Sequence, residues 1–396
     1  MSLIVFNAGS SSLKVAFFSD PAAGVRVATA RIAGFPGAPR MIWSEAAKTV
    51  EQALSAADHA GAALACLDIA RQRLGDRFSG PSLTAVAHRV VHGGGSAAAA
   101  AVLDEQTLMD LRALGDIAPL HQATELSVID AVAAKLPAAV PSIAAYDTAF
   151  FAALPAAATT YALPAKLRER FGLRKFGFHG IAHRALYEDG CGLAGLDPAC
   201  ARVITLQLGQ GCSAAAIAGG RPVDTSMGFT PLSGLVMGTR CGDVDAGLLF
   251  HLLRKGQRAE ILESELEHRS GLLGLCGSAD MQEILQRERA GDATAALAIE
   301  VFCLRIRHYI GAYLAALGGG DAIFFGGGIG EHATSIRQRC MQNLEWAGVT
   351  ADPSATQGPR LSAASSKIAA YVVPTDEERL IAREAHALVA AREKLA

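Results

Sequence analysis

The 396-residue chain predicts an α/β protein of two lobes. Three observations carry that expectation. Two strand–turn–strand units of the same design begin at Leu3 and near Arg202, about 200 residues apart. Apolar spacing alternates between strand and helix periods along the chain. The length suits two ordinary domains better than one.

The first unit is the apolar run Leu3–Phe6, the polar turn Asn7-Ala-Gly-Ser-Ser-Ser12, and a strand in which Leu13, Val15 and Phe17 alternate with Lys14 and Ala16. A weaker pattern follows, with turn signals at Gly34-Phe-Pro-Gly37. Ala85–His92 alternates again, which puts Arg89 and Val91 on one face and His88, Val90 and His92 on the other. Asp104 is placed to cap a helix bearing Leu108 and Leu111. Thr124 is placed to cap another, with Leu126, Ile129, Ala133 and Leu136 on one face, ended by Pro137 and Pro141. The second unit runs through Val203–Leu208, the turn Gly209-Gln-Gly-Cys-Ser213 and an Ala-rich strand to Ile217. Two such units predict a duplicated fold with a cleft between its halves. Ile299, Phe302, Ile306, Ile310, Tyr313 and Leu317 then follow a helical period that Gly318-Gly-Gly320 caps. Asp321–Phe325 reads as a buried strand, and Gly326–Glu331 opens another helix. After Pro374, Thr375-Asp-Glu-Glu378 has the capping-box pattern of a last helix bearing Leu380, Ile381, Ala385 and Leu388.

Composition narrows the function. Lys and Arg total 36 against 38 Asp and Glu, so no basic stripe points to nucleic acid as the ligand. Apolar residues at 51% and charged residues at 19% exclude a disordered chain. No uninterrupted apolar run reaches the roughly 18 residues of a membrane span. The cysteines at 66, 191, 200, 212, 241, 276, 303 and 340 form no C-x-x-C pair. The start, Met1-Ser-Leu-Ile-Val-Phe-Asn7, has too short an apolar run for a secretory leader. Reduced thiols and a cytoplasmic location are therefore expected.

Glycine-rich turns follow strands at Asn7–Ser12, Gly209–Gly211 and Gly326–Gly330, where backbone N–H groups can converge on phosphate oxygens. None is a Walker A loop. The third is no dinucleotide fingerprint, because its sixth position is Glu331. Lys14 is either a solvated strand residue or a cation beside phosphate. Arg89 beside an apolar wall is either a structural ion pair or a grip for a carboxylate or phosphate. His179 and His183 have the spacing of a zinc protease helix, but Gly180 stands where that chemistry needs its Glu. No Gly-x-Ser-x-Gly elbow supports acyl transfer through serine. In Gly238-Thr-Arg-Cys-Gly-Asp-Val-Asp245, Arg240 lies close in sequence to two carboxylates, as a salt-bridged turn or a guanidinium for phosphoryl oxygens.

Longer strings are more specific. They are Asn7–Lys14, His88-Arg-Val-Val-His-Gly-Gly94, Ala118-Pro-Leu-His121, Asp147-Thr-Ala-Phe150, Gly177-Phe-His-Gly180 and Val223-Asp-Thr-Ser-Met-Gly-Phe-Thr-Pro-Leu232. Met237-Gly-Thr-Arg240 with Gly242-Asp243, Ser270-Gly-Leu-Leu-Gly-Leu275, Gly327-Gly-Ile-Gly-Glu331 and Pro374–Glu378 complete the set. With these, in this order and across nearly its whole length, the chain resembles the acetate kinase family of the acetate and sugar kinase, Hsp70 and actin superfamily.

The resemblance implies two ribonuclease H-like domains around a central cleft, 1–148 with 379–396 on the acyl side and 149–378 on the nucleotide side. The last helix would return to the first domain, and a homodimer would form through the second. The implied reaction is reversible, direct in-line transfer of the ATP γ-phosphoryl group to acetate, giving acetyl phosphate and ADP, with Mg²⁺ that Mn²⁺ can replace. Asn7 and Glu377 would hold the metal. Arg89 would bind the carboxylate or acyl phosphate, and Arg240 and His179 the equatorial oxygens. Asp147 would orient an arginine or metal-bound water. Val91, Leu120, Phe178 and Pro231 would wall the methyl group, rejecting larger acids by size. Nucleotide contacts would come from Ser10, Ser12, Lys14, the loop Gln207-Leu208-Gly209-Gln210-Gly211, Asp280-Met281-Gln282 and Gly328-Ile329-Gly330-Glu331-His332.

Three segments depart from the family's pattern, at four positions, all on the nucleotide side. Gln207 and Gln210 stand in a loop that usually reads His-Leu-Gly-Asn-Gly, Gln282 where Arg is usual, and His332 where Asn is usual. Drift in tolerant contacts accounts for this; a different phosphoryl donor or a regulatory relative is the alternative, as is a propionate or other short-chain carboxylate kinase. Gly95–Val102, which lacks the charges common there in the family, is expected to be a loose surface segment.

Overall fold

A computed structural model describes the chain except Met1, Ser10, Pro36, Ala47, Ser79, Ile117, Ala118, Thr356, Gln357, Leu395 and Ala396; the side chains of Pro81, Asp116, Pro119, Leu120 and His121 also lie outside the described residues. It is mixed α/β and divides into two compact units, Met1–Phe150 with Asp376–Ala396, and Phe151–Thr375. Among the described residues no helix is long and apolar enough to cross a membrane. All eight cysteines are free thiols.

The strands are β1 (Leu3–Ala8), β2 (Ser12–Asp20), β3 (Val25–Ala33), β4 (Arg40–Glu45), β5 (Lys48–Ala53), β6 (Ala85–Val90), β7 (Ala100–Val102) and β8 (Ser142–Tyr146) in the first unit. The second unit has β9 (Arg202–Leu208), β10 (Cys212–Ala218), β11 (Arg221–Thr225), β12 (Ala322–Gly326) and β13 (Ala369–Val372). Their sheets run β5-β4-β3-β2-β1-β6-β8-β7 and β11-β10-β9-β12-β13. Both repeat one plan. A central strand, β1 or β9, pairs antiparallel with the hairpin that follows it and parallel with a strand arriving after a long crossover. A second parallel strand, β8 or β13, follows on that side. The duplication expected from the two strand–turn–strand units is therefore present in the sheets themselves.

Alternation along β1 assigns its faces. Ile4, Phe6 and Ala8 join a core with Leu13, Val15, Phe17, Trp43 and the helix residues Ala62, Ala63, Cys66, Leu67, Val128 and Val132. Phe17 packs against Trp43 with ring centroids 5.2 Å apart and the planes tilted by 44°, and meets the edge of Phe78 at 5.6 Å. Full burial of each such side chain is worth about 1.5–3 kcal/mol. The closing helix Glu377–Glu393 buries Leu380, Ile381, Ala382, Ala385 and Val389 and packs on β1 and β6. In the second unit, Ala293–Leu317 buries the predicted stripe from Ile299 to Leu317 and packs on β9 and β10, while Gly180–Ala194 packs on β9 and β12.

Three local expectations are corrected. Thr124 does not cap a helix. It lies inside Pro119–Lys135, which begins at a proline suited to a first helical turn. The last helix is capped not by Thr375 but by Asp376, whose carboxylate accepts from Arg379 N at 3.1 Å. Gly95–Val102 is not loose throughout, because Ala100–Val102 pairs with β8 as an edge strand and small side chains are no obstacle there. Asp104 does cap Glu105–Ala113, accepting from Thr107 N at 2.8 Å.

One polar tie crosses the first unit's interior. Glu125, on the helix Pro119–Lys135, is 2% exposed and accepts from Val91 N at 2.9 Å. Burial pushes its carboxyl up to about 8; the Arg89 charge and the Val91 bond oppose that shift, and Asp147 adds to it. A carboxyl raised on folding stabilises the fold fully below its unfolded value of 4.5 and loses that contribution as pH rises through about 8. Glu125→Gln is therefore expected to flatten the pH dependence of the urea midpoint and to exceed the parent in stability at pH 9. An unchanged loss of stability between pH 6 and 9 in the variant would contradict this.

Candidate active site

Three polar side chains emerge from the carboxyl ends of the parallel strands β1, β6 and β8, the place where open α/β sheets bind ligands. Asn7 follows the face of Leu3 and Val5, opposite the Ile4–Phe6 core. The β1–β6 register pairs Val5 with Ala87, so the next position on that face sets Arg89 beside Asn7. Arg89 Nη1 points at Asn7 Oδ1 at 3.5 Å. Arg89 also grips Asp147 with two donors, Nε at 3.0 Å and Nη2 at 2.5 Å to the same Oδ2. The pair is 11% and 1% exposed. Burial opposes the guanidinium charge, but Asp147, Glu377 and Glu125 outweigh it and hold Arg89 firmly protonated.

The closing helix brings two carboxylates to the same place. Asn7 Nδ2 donates to Glu377 Oε2 at 2.8 Å and to Glu378 Oε1 at 2.7 Å. Both lie in the helix's first turn, where the macrodipole favours negative charge. Hard oxygen donors from one or two carboxylates are what a small divalent cation that keeps most of its water needs, so Asn7 with this pair fits Mg²⁺. No group of three or more His, Cys, Asp and Glu arranged to hold a metal occurs among the described residues.

The second unit repeats the placement with neutral groups. Gln207 is the penultimate residue of β9, Gly326 pairs with it across the register, and Thr375 follows β13. Thr375 Oγ1 donates to Gln207 Oε1 at 3.1 Å and accepts from Gly327 N at 3.1 Å, while Thr375 N donates to Glu331 Oε1 at 3.1 Å. Gly327 has φ 73°, and a methyl group there would meet the Leu208 carbonyl at 2.6 Å. Thr375 thus ties the two glycine turns together, a role its reading as a cap missed.

His179 and Arg240 converge on the Gly209–Gly211 turn. A methyl group at Gly211 would lie 3.2 Å from His179 Cε1, 3.4 Å from its Nε2 and 3.9 Å from Arg240 Nη1, so glycine keeps this space open to a ligand. His179 has φ 59°, a left-handed conformation costly without glycine and typical of functional sites. Arg240 Nη1 donates to the Pro231 carbonyl at 3.2 Å. Its ion-pair partner is Glu267 at 3.4 Å, not its sequence neighbours. Asp243 instead accepts from Gly234 N at 2.7 Å and Tyr309 OH at 2.6 Å, and Asp245 caps the helix Ala246–Arg254. The Arg240 loop is held by backbone bonds from Ser270 N to Thr239 O, Leu272 N to Met237 O and Leu273 N to Gly238 O, each 2.9 Å. The Ser270–Leu275 string thereby acquires a physical role. Gly238 N donates to Gln210 O at 2.9 Å, locking this loop to the glycine turn.

The remaining expected site residues fall in several places. Val91 is buried in the first unit; Phe178 is buried and Pro231 half-buried in the second. Ser10 and the Leu120 side chain lie outside the described residues. Ser12 closes the β1–β2 turn, its carbonyl accepting from Gly9 N at 2.8 Å, and Lys14 is exposed on β2. Asp280 caps Met281–Arg289 by accepting from Gln282 N at 2.8 Å, and Met281 is core. Leu208 is buried, whereas Gly328 and His332 are exposed and Ile329, Gly330 and Glu331 line the turn between them. Sequence reasoning missed Glu125, Glu378, Glu267 and Ser213, which are distant in sequence from the groups they serve.

Comparison with known proteins identifies the family. The Acetokinase family model matches residues 2–383. The acetate kinase of Streptomyces coelicolor is 41% identical over 98% of this chain and 97% of its own, and that of Syntrophobacter fumaroxidans 40% over 97% and 96%. Among solved structures, Porphyromonas gingivalis acetate kinase superposes with a TM-score of 0.88 at 33% identity, covering 98% of this chain and 99% of its own. A propionate kinase from Francisella tularensis gives 0.89 at 31%, covering 97% and 98%. With its motifs, its sheets and its relatives in agreement over nearly its full length, the chain belongs to the acetokinase family, phosphotransferases that take a carboxyl group as acceptor.

Proposed function

We propose that this protein transfers the γ-phosphoryl group of ATP to acetate, reversibly and in line, forming acetyl phosphate and ADP. The observation that carries the reading is Arg89, a buried guanidinium fixed by Asp147 at the ends of parallel strands and left with donors beyond that pair. Acetate is already ionised at neutral pH. No proton need be removed before its oxygen attacks phosphorus, so the protein's work is alignment and charge stabilisation. Arg89 binds the carboxylate bidentately, and Asp147 orients Arg89 rather than accepting a proton. Arg240 and His179 stabilise the equatorial oxygens as the bond to ADP breaks. Asn7 and Glu377 are the residues that would hold Mg²⁺, which would supply charge neutralisation on the transferred phosphoryl group. Val91, Leu120, Phe178 and Pro231 limit the acid's size, and the glycine turns with Lys14, Ser10 and Ser12 receive the phosphates. Propionate is the second reading, favoured by the equally good superposition of the propionate kinase; one methylene is worth only about 1–3 kcal/mol in such a pocket.

The second unit also carries an apolar face. The helix Ala246–Arg254 has no buried residue, yet bears Leu248, Phe250 and Leu253, with Phe250 60% exposed. Exposed apolar area of this kind marks interaction surfaces. We assign it to a homodimer.

Variant kinetics and light scattering test these readings. Arg89→Ala should raise the acetate KM and lower kcat/KM by about 100-fold, the worth of one or two charged hydrogen bonds, with the ATP KM little changed. Arg240→Ala should instead lower kcat by about 1,000-fold. Hydroxamate assays across formate, acetate, propionate and butyrate measure both and rank the acids; a best rate on any non-carboxylate acceptor or with Arg89→Ala unimpaired would refute the assignment. Light scattering should give twice the chain mass for the parent, and Phe250→Glu should shift it toward the single chain. A monomeric parent would sink the dimer.

A further inference from the structure

Behind His179 lies a chain of hydrogen bonds that the transfer chemistry does not itself require. His179 Nδ1 is 2.8 Å from Ser213 Oγ, Ser213 Oγ is 2.7 Å from His183 Nε2, and His183 Nδ1 is 2.7 Å from Thr205 Oγ1. Thr205, Ser213 and His183 are each 0% exposed. All four residues belong to the second unit, with His183 one helical turn beyond His179 on Gly180–Ala194 and the hydroxyls on the paired strands β9 and β10.

We propose that Thr205, His183 and Ser213 form a one-way hydrogen-bond chain that keeps the His179 proton on Nε2, so that the imidazole faces Gly211 as a donor. The direction follows from counting protons. The Thr205 side chain bonds to His183 and to nothing else among the described residues. If His183 donated to it, the Thr205 hydroxyl proton would be buried with no acceptor, the costliest kind of unmade bond. Thr205 therefore donates, and His183 Nδ1 accepts. Burial, reinforced by His179, holds the His183 pKa well below its ordinary value, so His183 is neutral and its one proton sits on Nε2. That proton goes to Ser213 Oγ. The Ser213 proton then has one acceptor left, His179 Nδ1. A neutral His179 carries its own proton on Nε2, 3.4 Å from the methyl position of Gly211.

The consequence rests on the reading that His179 touches the phosphoryl group. Phosphoryl oxygens only accept, so a bare Nε2 lone pair there would repel them. The chain removes that tautomer without requiring a charged imidazole, and the left-handed backbone at residue 179 aims the ring. Thr205, His183 and Ser213 are positioning residues, and the zinc-protease spacing of His179 and His183 is explained as two members of one relay, joined through Ser213.

The test is tautomer-resolved NMR of ¹⁵N-histidine-labelled protein at a pH where His179 is neutral, with His179→Gln assigning the signals. The parent should show protonated Nε2 and bare Nδ1 at His179. Thr205→Val, which keeps shape but deletes the first donor, should populate the opposite tautomer and lower kcat about tenfold with KM values within about twofold. Thr205→Ser should restore both. A parent with the proton on Nδ1 overturns the proposal without any variant. So does a Thr205→Val protein, or failing its folding a Ser213→Ala protein, with unaltered tautomer. If the tautomer is as stated but His179→Gln keeps full activity, the relay stands and the phosphoryl role of His179 falls.

Discussion

Arg89 is a charge that cannot be discarded. A guanidinium stays protonated at any pH the protein meets, so burying it obliges the fold to supply carboxylates around it. Asp147 takes two of its donors, and Glu377 adds its field from the first turn of the closing helix. That requirement explains why the chain's last helix returns to the first unit with acidic residues in its first turn. It also explains why the acceptor side of Asn7 faces Arg89 while its amide hydrogens face the glutamates. The electrostatics around Arg89 thus begin as a folding problem, a buried cation needing partners, and the proposed carboxylate grip builds on that solution.

The duplicated sheet plan divides the chemistry. In each unit three neighbouring parallel strands end at one edge. At that edge the first unit places Asn7, Arg89 and Asp147, and the second places Gln207, Gly326 and Thr375. The first set handles full charges. The second is built mainly from backbone N–H groups, an amide and a hydroxyl, with the Glu331 carboxylate on Thr375 N, and its cation is Arg240, paired with Glu267 beside an imidazole. Such a division suits a reaction in which one substrate is a compact carboxylate and the other an extended polyphosphate, bound well by converging amides.

Much of this was legible in the residues. The strand–turn–strand repeats, the long helix ending at Gly318 and the Asp104 cap are local, and local patterning reveals them. What escaped is of two kinds. The region of β3, β4 and the helix His59–Leu74 reads weakly because half of its buried apolar positions are alanine, Ala28, Ala30, Ala62, Ala63 and Ala70, which contrast little with polar neighbours. The second kind is long-range. Arg240 has two carboxylates close by in sequence, yet pairs with Glu267, because Asp243 is drawn to Tyr309 and Gly234. Thr375 matched a capping box, but its hydroxyl is held by Gln207 and Gly327, leaving Asp376 to cap. A side chain offered two partners takes the one tertiary packing brings closer, and spacing alone cannot register that competition.

The account stands most directly on where the reacting groups go. A crystal of the protein grown with ADP, Mg²⁺, acetate and aluminium fluoride would show it. The acetate carboxylate is expected on Arg89, and the fluoride plane within hydrogen-bond reach of both Arg240 and His179 Nε2. Acetate bound away from Arg89, or a fluoride group touching neither Arg240 nor His179, would contradict it.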